Sequence, residues 1–153
     1  MGTMYYFRHC IACGPENPIG FNIKFYKGDG FVYGKTIIDD RFEGYENIAH
    51  GGVLSILLDE VMAKALFAAD IVAVTMEINV KFRREVLVGQ QLTLKGFLTD
   101  VKRKVAFTHG KVLLPDGGVA AEANAKFFIT SGEKKEQMLA GLSIQDDNKS
   151  NLQ

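Results

Sequence analysis

Residues 51–69 read GGVLSILLDEVMAKALFAA, the longest helical pattern in the chain. Its apolar side chains recur at three- and four-residue spacing, which is the period of an α-helix. Only a narrow polar strip interrupts the apolar surface, formed by Glu60 and Lys64, which are spaced to make an i,i+4 ion pair. A helix that is apolar on nearly all sides must be covered on most of them. We therefore predict one long central helix that the rest of the chain wraps.

The remainder of the chain shows the two-residue period of β-strands. Two strands are predicted before the helix and four after it, at residues 21–26, 31–38, 72–83, 92–101, 105–114 and 119–130. Their connections are short, with turn signals such as Pro115-Asp116-Gly117-Gly118, and such connections join antiparallel strands. The expected fold class is α+β, with an antiparallel sheet wrapped around one long central helix. Exposed sheet edges predict at least a dimer.

The composition indicates a folded protein with one domain. The chain has 153 residues, 47% of them hydrophobic, and its 18 Lys and Arg residues balance 18 Asp and Glu residues. Balanced charge gives no reason to expect nucleic acid or a membrane surface as a partner, and no membrane span is visible. Because the N-terminus lacks a secretion signal, we expect a cytoplasmic protein. We predict a single domain at residues 1–131 and a polar tail at 132–153, with a candidate short helix at 133–139 and mobile last residues.

Both cysteines lie in the motif Cys10-Ile11-Ala12-Cys13, within an N-terminal extension formed by residues 1–20. A tetrahedral zinc site needs four ligands, and His9, Cys10 and Cys13 supply three at most. A disulfide framework is not expected in a chain without a secretion signal. We therefore interpret the pair as two reduced cysteines in a turn and predict no metal.

The segment His50-Gly51-Gly52 marks the mouth of the predicted helix. Two glycines there let a ligand approach the backbone closely, and the free N–H groups together with the helix dipole favour negative charge. This is the physics of an oxyanion hole. The alternative is that His50 only caps the helix and the glycines ease a tight turn.

Asp59 and Thr75 are further candidates. Asp59 lies among apolar neighbours on the helix, where a carboxylate is costly unless it is paired or hydrogen-bonded, and such groups are common at functional sites. The alternative is that Ser55, one turn earlier, satisfies it locally. Thr75 is predicted on the polar face of its strand with Glu77 and Asn79, and most such threonines only favour strand structure.

The segment 42–60, FEGYENIAHGGVLSILLDE, resembles the signature of hotdog-fold acyl-CoA thioesterases of the phenylacetate-pathway (PaaI-like) type. The resemblance extends through 74–82, VTMEINVKF, and the closing strand around 118–127, and the N-terminal CIACG and NPIG motifs are similar to one subgroup. It implies a hotdog fold and hydrolysis of the thioester bond of an acyl-CoA. Coenzyme A is then part of the substrate, and no cofactor is expected.

The resemblance also implies roles for the candidate residues. The Gly51 N–H would polarise the thioester carbonyl, and Asp59 would act as nucleophile or as base on water. Thr75 would orient that water or carboxylate, and His50 would orient or bind substrate. Relatives place these groups across a dimer interface, so we expect a homodimer or homotetramer in which Asp59 and Gly51 of one site come from different chains.

Substrate contacts are expected around the helix mouth and at two basic clusters. Many relatives have an asparagine six residues before the histidine of the HisGlyGly motif, where this chain has Gly44, and Asn47 is the nearest substitute. The phosphates of coenzyme A need cations at their docking site. The predicted substrate-binding residues are Asn47, Gly52, Phe82, Arg83, Arg84, Lys102, Arg103 and Lys104, although solvated strand ends are an equal interpretation of the basic ones.

Two other functions are open on the sequence. Hotdog folds also host dehydratases, which use a catalytic histidine with an acidic partner, and His50 and Asp59 could take those roles. A non-catalytic acyl-CoA-binding protein is the other alternative, although such regulators usually need a DNA-binding module that this chain has no room for.

Overall fold

The computed structural model describes residues 4–145, which form an antiparallel sheet around one long helix. The helices are α1 (Gly51–Ala68) and α2 (Gly132–Leu139), and the strands are β1 (Tyr5–Phe7), β2 (Phe25–Lys27), β3 (Val32–Ile37), β4 (Ala73–Phe82), β5 (Gln91–Lys102), β6 (Val105–Leu113), β7 (Val119–Ile129) and β8 (Leu142–Ile144). Six strands form one sheet in the order β2-β3-β5-β6-β7-β4, and β1 pairs with β8. The predicted hotdog architecture is confirmed. Neither helix in this part of the chain is long and apolar enough to cross a membrane.

Helix α1 packs unusually close to the middle of the sheet. Gly96 of β5 and Gly110 of β6 are cross-strand partners. A Cβ atom at Gly96 would collide with the backbone carbonyl oxygen of Val61, and one at Gly110 would lie 3.0 Å from Cγ of Met62. The two glycines therefore form a notch that receives α1 at Val61 and Met62, where the helix side chains are fully buried.

Strand β4 departs from the alternation that its sequence shows. A bulge shifts the register between Thr75, which pairs with Phe127, and Glu77, which pairs with Lys126. Phe127 is buried beneath α1, so its partner Thr75 faces the helix, whereas Glu77 remains on the outer face. The prediction that Thr75 shares a face with Glu77 and Asn79 is therefore wrong. A bulge inserts one extra residue and re-aims the side chains on one side of it.

The edge of the sheet at β4 is apolar and exposed. Met76 and Phe82 each leave 55% of their surface exposed, and Val74 leaves 45%. On the neighbouring strand β7, Phe128 pairs with Val74 and is also exposed. Large apolar side chains left exposed along an edge strand are typical of a surface that another chain covers.

The two ends of the described chain meet. Strands β1 and β8 pair from Tyr5 to Phe7, and the Gln145 side chain bonds both backbone groups of Phe25, at 3.1 and 3.0 Å. Residues 132–145, which the composition assigns to a polar tail, thus form α2 and β8. The expected mobility of the last residues concerns positions 146–153, which lie outside the described residues. Strand β2 is shorter than the predicted 21–26, because Asn22 adopts a positive φ of 50°.

Candidate active site

Asp59 is hydrogen-bonded to Thr75. The Thr75 hydroxyl donates to Oδ1 of Asp59 at 2.7 Å, and the bulge in β4 is what turns Thr75 toward it. The carboxylate is half-buried, and no cation lies within ion-pair distance of it among residues 4–145. The Ser55 hydroxyl donates instead to the backbone oxygen of Gly51 at 3.2 Å, so the interpretation of Asp59 as satisfied by Ser55 is wrong.

Burial without a counter-charge sets the acidity of Asp59. Desolvation raises the pKa of this carboxyl above its ordinary value, the Thr75 hydrogen bond opposes that rise, and the negative charge of Glu60 adds to it. A carboxylate with raised proton affinity is suited to accept a proton from water or to attack an electrophile.

The mouth of α1 has one backbone donor free. His50 is the N-cap, and its Nδ1 accepts the Gly52 N–H at 2.8 Å, so the capping interpretation of His50 is correct as a description of its contact. The Gly51 N–H has no hydrogen-bond acceptor within residues 4–145. It points from the first residue of a long helix, where the dipole favours a developing negative charge.

The surroundings of the helix mouth come from two loops and a strand end. The Phe82 ring lies 3.5 Å from where a Cβ of Gly51 would be, and Gly44 lies against the ring of His50. Asn47 adopts a positive φ of 63°, accepts the Val88 N–H at 2.9 Å through its backbone oxygen, and has an exposed side chain. Asn47 therefore shapes the loop that leads into the helix.

Gly51 and Asp59 do not meet within one chain. They are eight residues apart on the same helix, which at 1.5 Å per residue places them about 12 Å apart along its axis. A carbonyl oxygen bound at Gly51 lies too far from the Asp59 of that chain for attack. One chain thus brings together Asp59 and Thr75, but not Gly51.

The predicted basic residues form two separate groups. Arg83 pairs with Glu122 at 3.2 Å, and Arg84 makes a bidentate pair with Asp116 at 3.0 Å. Lys102 is the last residue of β5, and Arg103 and Lys104 form the β5–β6 turn, at the end of the sheet where Val105 pairs with Phe128. The two groups therefore lie at opposite ends of β4, about 30 Å apart for a ten-residue strand.

A family model described as the thioesterase superfamily matches residues 46–121, which include the helix mouth, Asp59 and Thr75. The chain belongs to the thioesterase superfamily. The N-terminal extension with its two cysteines lies outside the matched region. No curated protein matches the sequence of this chain.

Solved structures show the same fold. A thioesterase superfamily protein is 28% identical over 79% of this chain, with a TM-score of 0.76, and this chain covers 60% of that structure. A hypothetical thioesterase from Streptococcus pneumoniae with coenzyme A is 22% identical, with a TM-score of 0.68 and coverages of 72% and 90%. The E. coli PaaI protein from the phenylacetic acid degradation operon is 20% identical, with a TM-score of 0.65 and coverages of 69% and 82%.

Two further structures are of single-site mutants of the same hypothetical streptococcal thioesterase. One carries an aspartate-to-alanine and the other a threonine-to-alanine substitution, at positions sixteen residues apart in that protein. Asp59 and Thr75 have the same separation in this chain.

Proposed function

We propose that this protein hydrolyses acyl-CoA thioesters and that Asp59 is its catalytic carboxylate. The observation that carries the proposal is the Asp59–Thr75 pair at 2.7 Å, half-buried and without a cation. Asp59 either removes a proton from an attacking water or attacks the thioester carbonyl itself, forming an anhydride that water then hydrolyses. Both routes break the C–S bond and release a carboxylic acid and the free thiol of coenzyme A.

The Gly51 N–H supplies the electrostatic half of the site. In the transition state the carbonyl oxygen becomes negative, and a fixed N–H about 3 Å away stabilises that charge more than it stabilises the substrate. The free Gly51 amide at the start of α1 fits this role. His50 and Phe82 border the same position, where they contact the acyl group.

The site is completed by a second copy of the chain. The distance of about 12 Å between Gly51 and Asp59 along one helix prevents both from acting on one carbonyl. A two-fold dimer gives each site Gly51 from one protomer and Asp59 with Thr75 from its partner. The exposed apolar edge at β4, which carries Thr75, supplies the surface for this contact.

Coenzyme A is the proposed leaving group, and its phosphates need free cations. Arg83 and Arg84 already have acidic partners, whereas Arg103 has no ion-pair partner in the described part of the chain. The streptococcal structure with coenzyme A supports this choice of substrate class. Two free cysteines accord with a cytoplasmic location.

Arg103→Ala should raise KM for acyl-CoA more than it lowers kcat, and an unchanged KM would remove Arg103 from the site.

Release of free thiol from short, long and aromatic acyl-CoA esters is the primary test. We expect turnover by the wild type on at least one ester and its loss in Asp59→Ala, with an unchanged circular dichroism spectrum. Glu77→Gln, on the outer face of β4, is the matched control and should keep its activity. Binding of acyl-CoA without thiol release would indicate a binding protein, and an enoyl product from a 3-hydroxyacyl-CoA would indicate a dehydratase.

Mixing two inactive variants tests the shared site. Gly51→Pro removes the N–H and leaves the helix start intact, because proline is favoured at the first position of a helix and the extended His50 before it is compatible with proline. Inactive Gly51→Pro and Asp59→Ala chains, unfolded together and refolded at equal amounts, should regain about a quarter of wild-type activity, since half of the dimers are mixed and each has one intact site. No recovery would mean that both groups act within one chain.

A further inference from the structure

The N-terminal extension places both cysteines against α1. Cys10 Sγ lies 3.6 Å from Oε1 of Glu60, fifty residues away in the chain. The Cys13 N–H donates to Cys10 Sγ at 3.3 Å. The two sulfur atoms and a carboxylate oxygen of Glu60 all lie within 4.8 Å of one another. Three groups of the types that bind zinc therefore converge on one point.

The separation between Cys10 Sγ and a Glu60 carboxylate oxygen fits one small metal ion. Zinc lies about 2.3 Å from a thiolate sulfur and about 2.0 Å from a carboxylate oxygen, so a tetrahedral site separates these two atoms by about 3.5 Å. The observed separation of Cys10 Sγ and Glu60 Oε1 is 3.6 Å. The ligand atoms are already arranged as an edge of such a tetrahedron.

The charges of the cluster also balance around a divalent cation. Two thiolates and the Glu60 carboxylate carry three negative charges, and the only cation beside them in the described chain is Lys64, whose Nζ is 3.6 Å from Glu60. The Lys64 side chain is 5% exposed and also donates to the Tyr5 backbone oxygen at 2.6 Å. Because metal binding deprotonates both thiols, one ion of charge +2 brings the bound cluster to neutrality, which favours a largely buried complex.

A cavity gives access to the same point. It has a volume of about 320 Å³, and Cys10, Glu60, Lys64, Phe7 and Met138 are among its lining residues. The volume admits water, which can act as a fourth ligand where the protein supplies three.

We propose that Cys10, Cys13 and Glu60 bind one Zn²⁺ ion, with a water molecule from the cavity as the fourth ligand. His9, the third ligand that the sequence offers, is not part of the site: its side chain is 70% exposed and lies 4.0 Å from Glu16. Glu60 takes that place, and no local sequence pattern links it to the cysteines. The ion fastens residues 4–20 to α1 at the residue next to Asp59.

Titration of the reduced, full-length protein with Zn²⁺ and with Co²⁺ tests the site. We expect one equivalent bound, a thiolate-to-cobalt charge-transfer band in the near ultraviolet, and a rise in Tm with Zn²⁺. Cys10→Ser and Glu60→Gln should each weaken Zn²⁺ binding by about 100-fold or more and diminish or shift the cobalt band. His9→Ala, the matched control, should bind as the wild type does.

Cys13 is buried and Cys10 is half-buried. If a Cys13→Ser chain fails to fold, the Cys10→Ser and Glu60→Gln variants still decide the test. Less than stoichiometric uptake of either metal by the reduced protein would overturn the proposal. So would equal Zn²⁺ affinity in the wild type and Glu60→Gln, or a cobalt complex without the charge-transfer band. Because no acyl-CoA is used, the result is independent of the proposed hydrolase activity.

Discussion

Asp59 and Glu60 are consecutive carboxylates on one helix, yet they lie in different surroundings. Asp59 faces β4, where its partner is the neutral hydroxyl of Thr75, whereas Glu60 faces the N-terminal extension and pairs with the buried Lys64. A cation beside a carboxylate neutralises it and fixes its position. Burial without a cation leaves the carboxylate with a raised pKa. A buried carboxylate beside a cation is therefore suited to a structural role, and one without a cation is suited to catalysis.

Exchanging each carboxylate for its amide gives the largest expected difference. Asp59→Asn should lower kcat by about 10³-fold or more, because an amide neither accepts a proton nor attacks a carbonyl. Glu60→Gln should lower kcat by less than about tenfold. It should instead lower the free energy of unfolding by about 1–3 kcal/mol, since the buried Lys64 loses its ion pair with Glu60. Thiol-release kinetics and urea denaturation measure both effects, and a larger kcat loss in Glu60→Gln would reverse the assignment.

Gly51 separates the contribution of the helix mouth from that of Asp59. Gly51→Pro removes the amide hydrogen and should lower kcat by about 10²–10³-fold, the usual effect of losing an oxyanion donor. Gly51→Ala keeps the N–H, and its Cβ would meet the Phe82 ring at 3.5 Å, an ordinary contact. It should therefore retain most activity. Equal kcat values for the two variants would show that the Gly51 amide is not used.

Thr75 is the neutral partner that distinguishes Asp59 from Glu60. Thr75→Val removes a hydrogen bond to a charged group, worth about 1.5–3 kcal/mol, and should lower kcat by about 10- to 100-fold. Because this bond lowers the pKa of Asp59, its loss raises that pKa further. Asp59 must be ionised to act, so the acidic limb of the kcat–pH profile should move to higher pH. Thr75→Ser should keep the wild-type profile, and a Thr75→Val profile that does not move would contradict the assigned contact.

The smallest expected effect is on the pH dependence of thermal stability. The pKa of Asp59 is raised in the folded state above its ordinary value of 3.8, so folding favours the protonated form. Its ionisation therefore costs stability as pH rises through the folded-state pKa, and this cost is absent below about pH 4. Asp59→Asn should raise Tm at pH 7, by an amount that shrinks toward pH 4. A variant with lower Tm at pH 7 and an unchanged fold would contradict the burial argument.

Periodicity in the sequence predicts α1 and the six main strands, because long amphipathic or apolar segments have one stable placement. It does not predict β1 and β8, which have three residues each and are too short to show a period. Nor does it predict the bulge in β4, because Met76 continues the apolar alternation while the backbone gains an unpaired residue. The contact between Cys10 and Glu60 joins distant parts of the chain and leaves no local signal.

For the candidate site, Asp59 is recognisable as a carboxylate in an apolar stretch, and the glycines at 51 and 52 as a helix mouth. Their assignment to one reaction came from the resemblance to thioesterases. The face on which Thr75 lies depends on pairing with β7, and the state of the basic residues depends on acidic partners such as Glu122 and Asp116. Both are tertiary properties that residue order alone does not contain.

The glycine notch of β5 and β6 has a consequence for the distance between Asp59 and Thr75. Gly96 and Gly110 let α1 settle onto the sheet two residues after Asp59. An alanine at position 96 would meet helix backbone, which cannot rotate away as a side chain can. The helix would have to lift, and Asp59 would lift with it. The distance between the Thr75 hydroxyl and Asp59 therefore depends in part on the missing side chains at two positions, Gly96 and Gly110, on other strands.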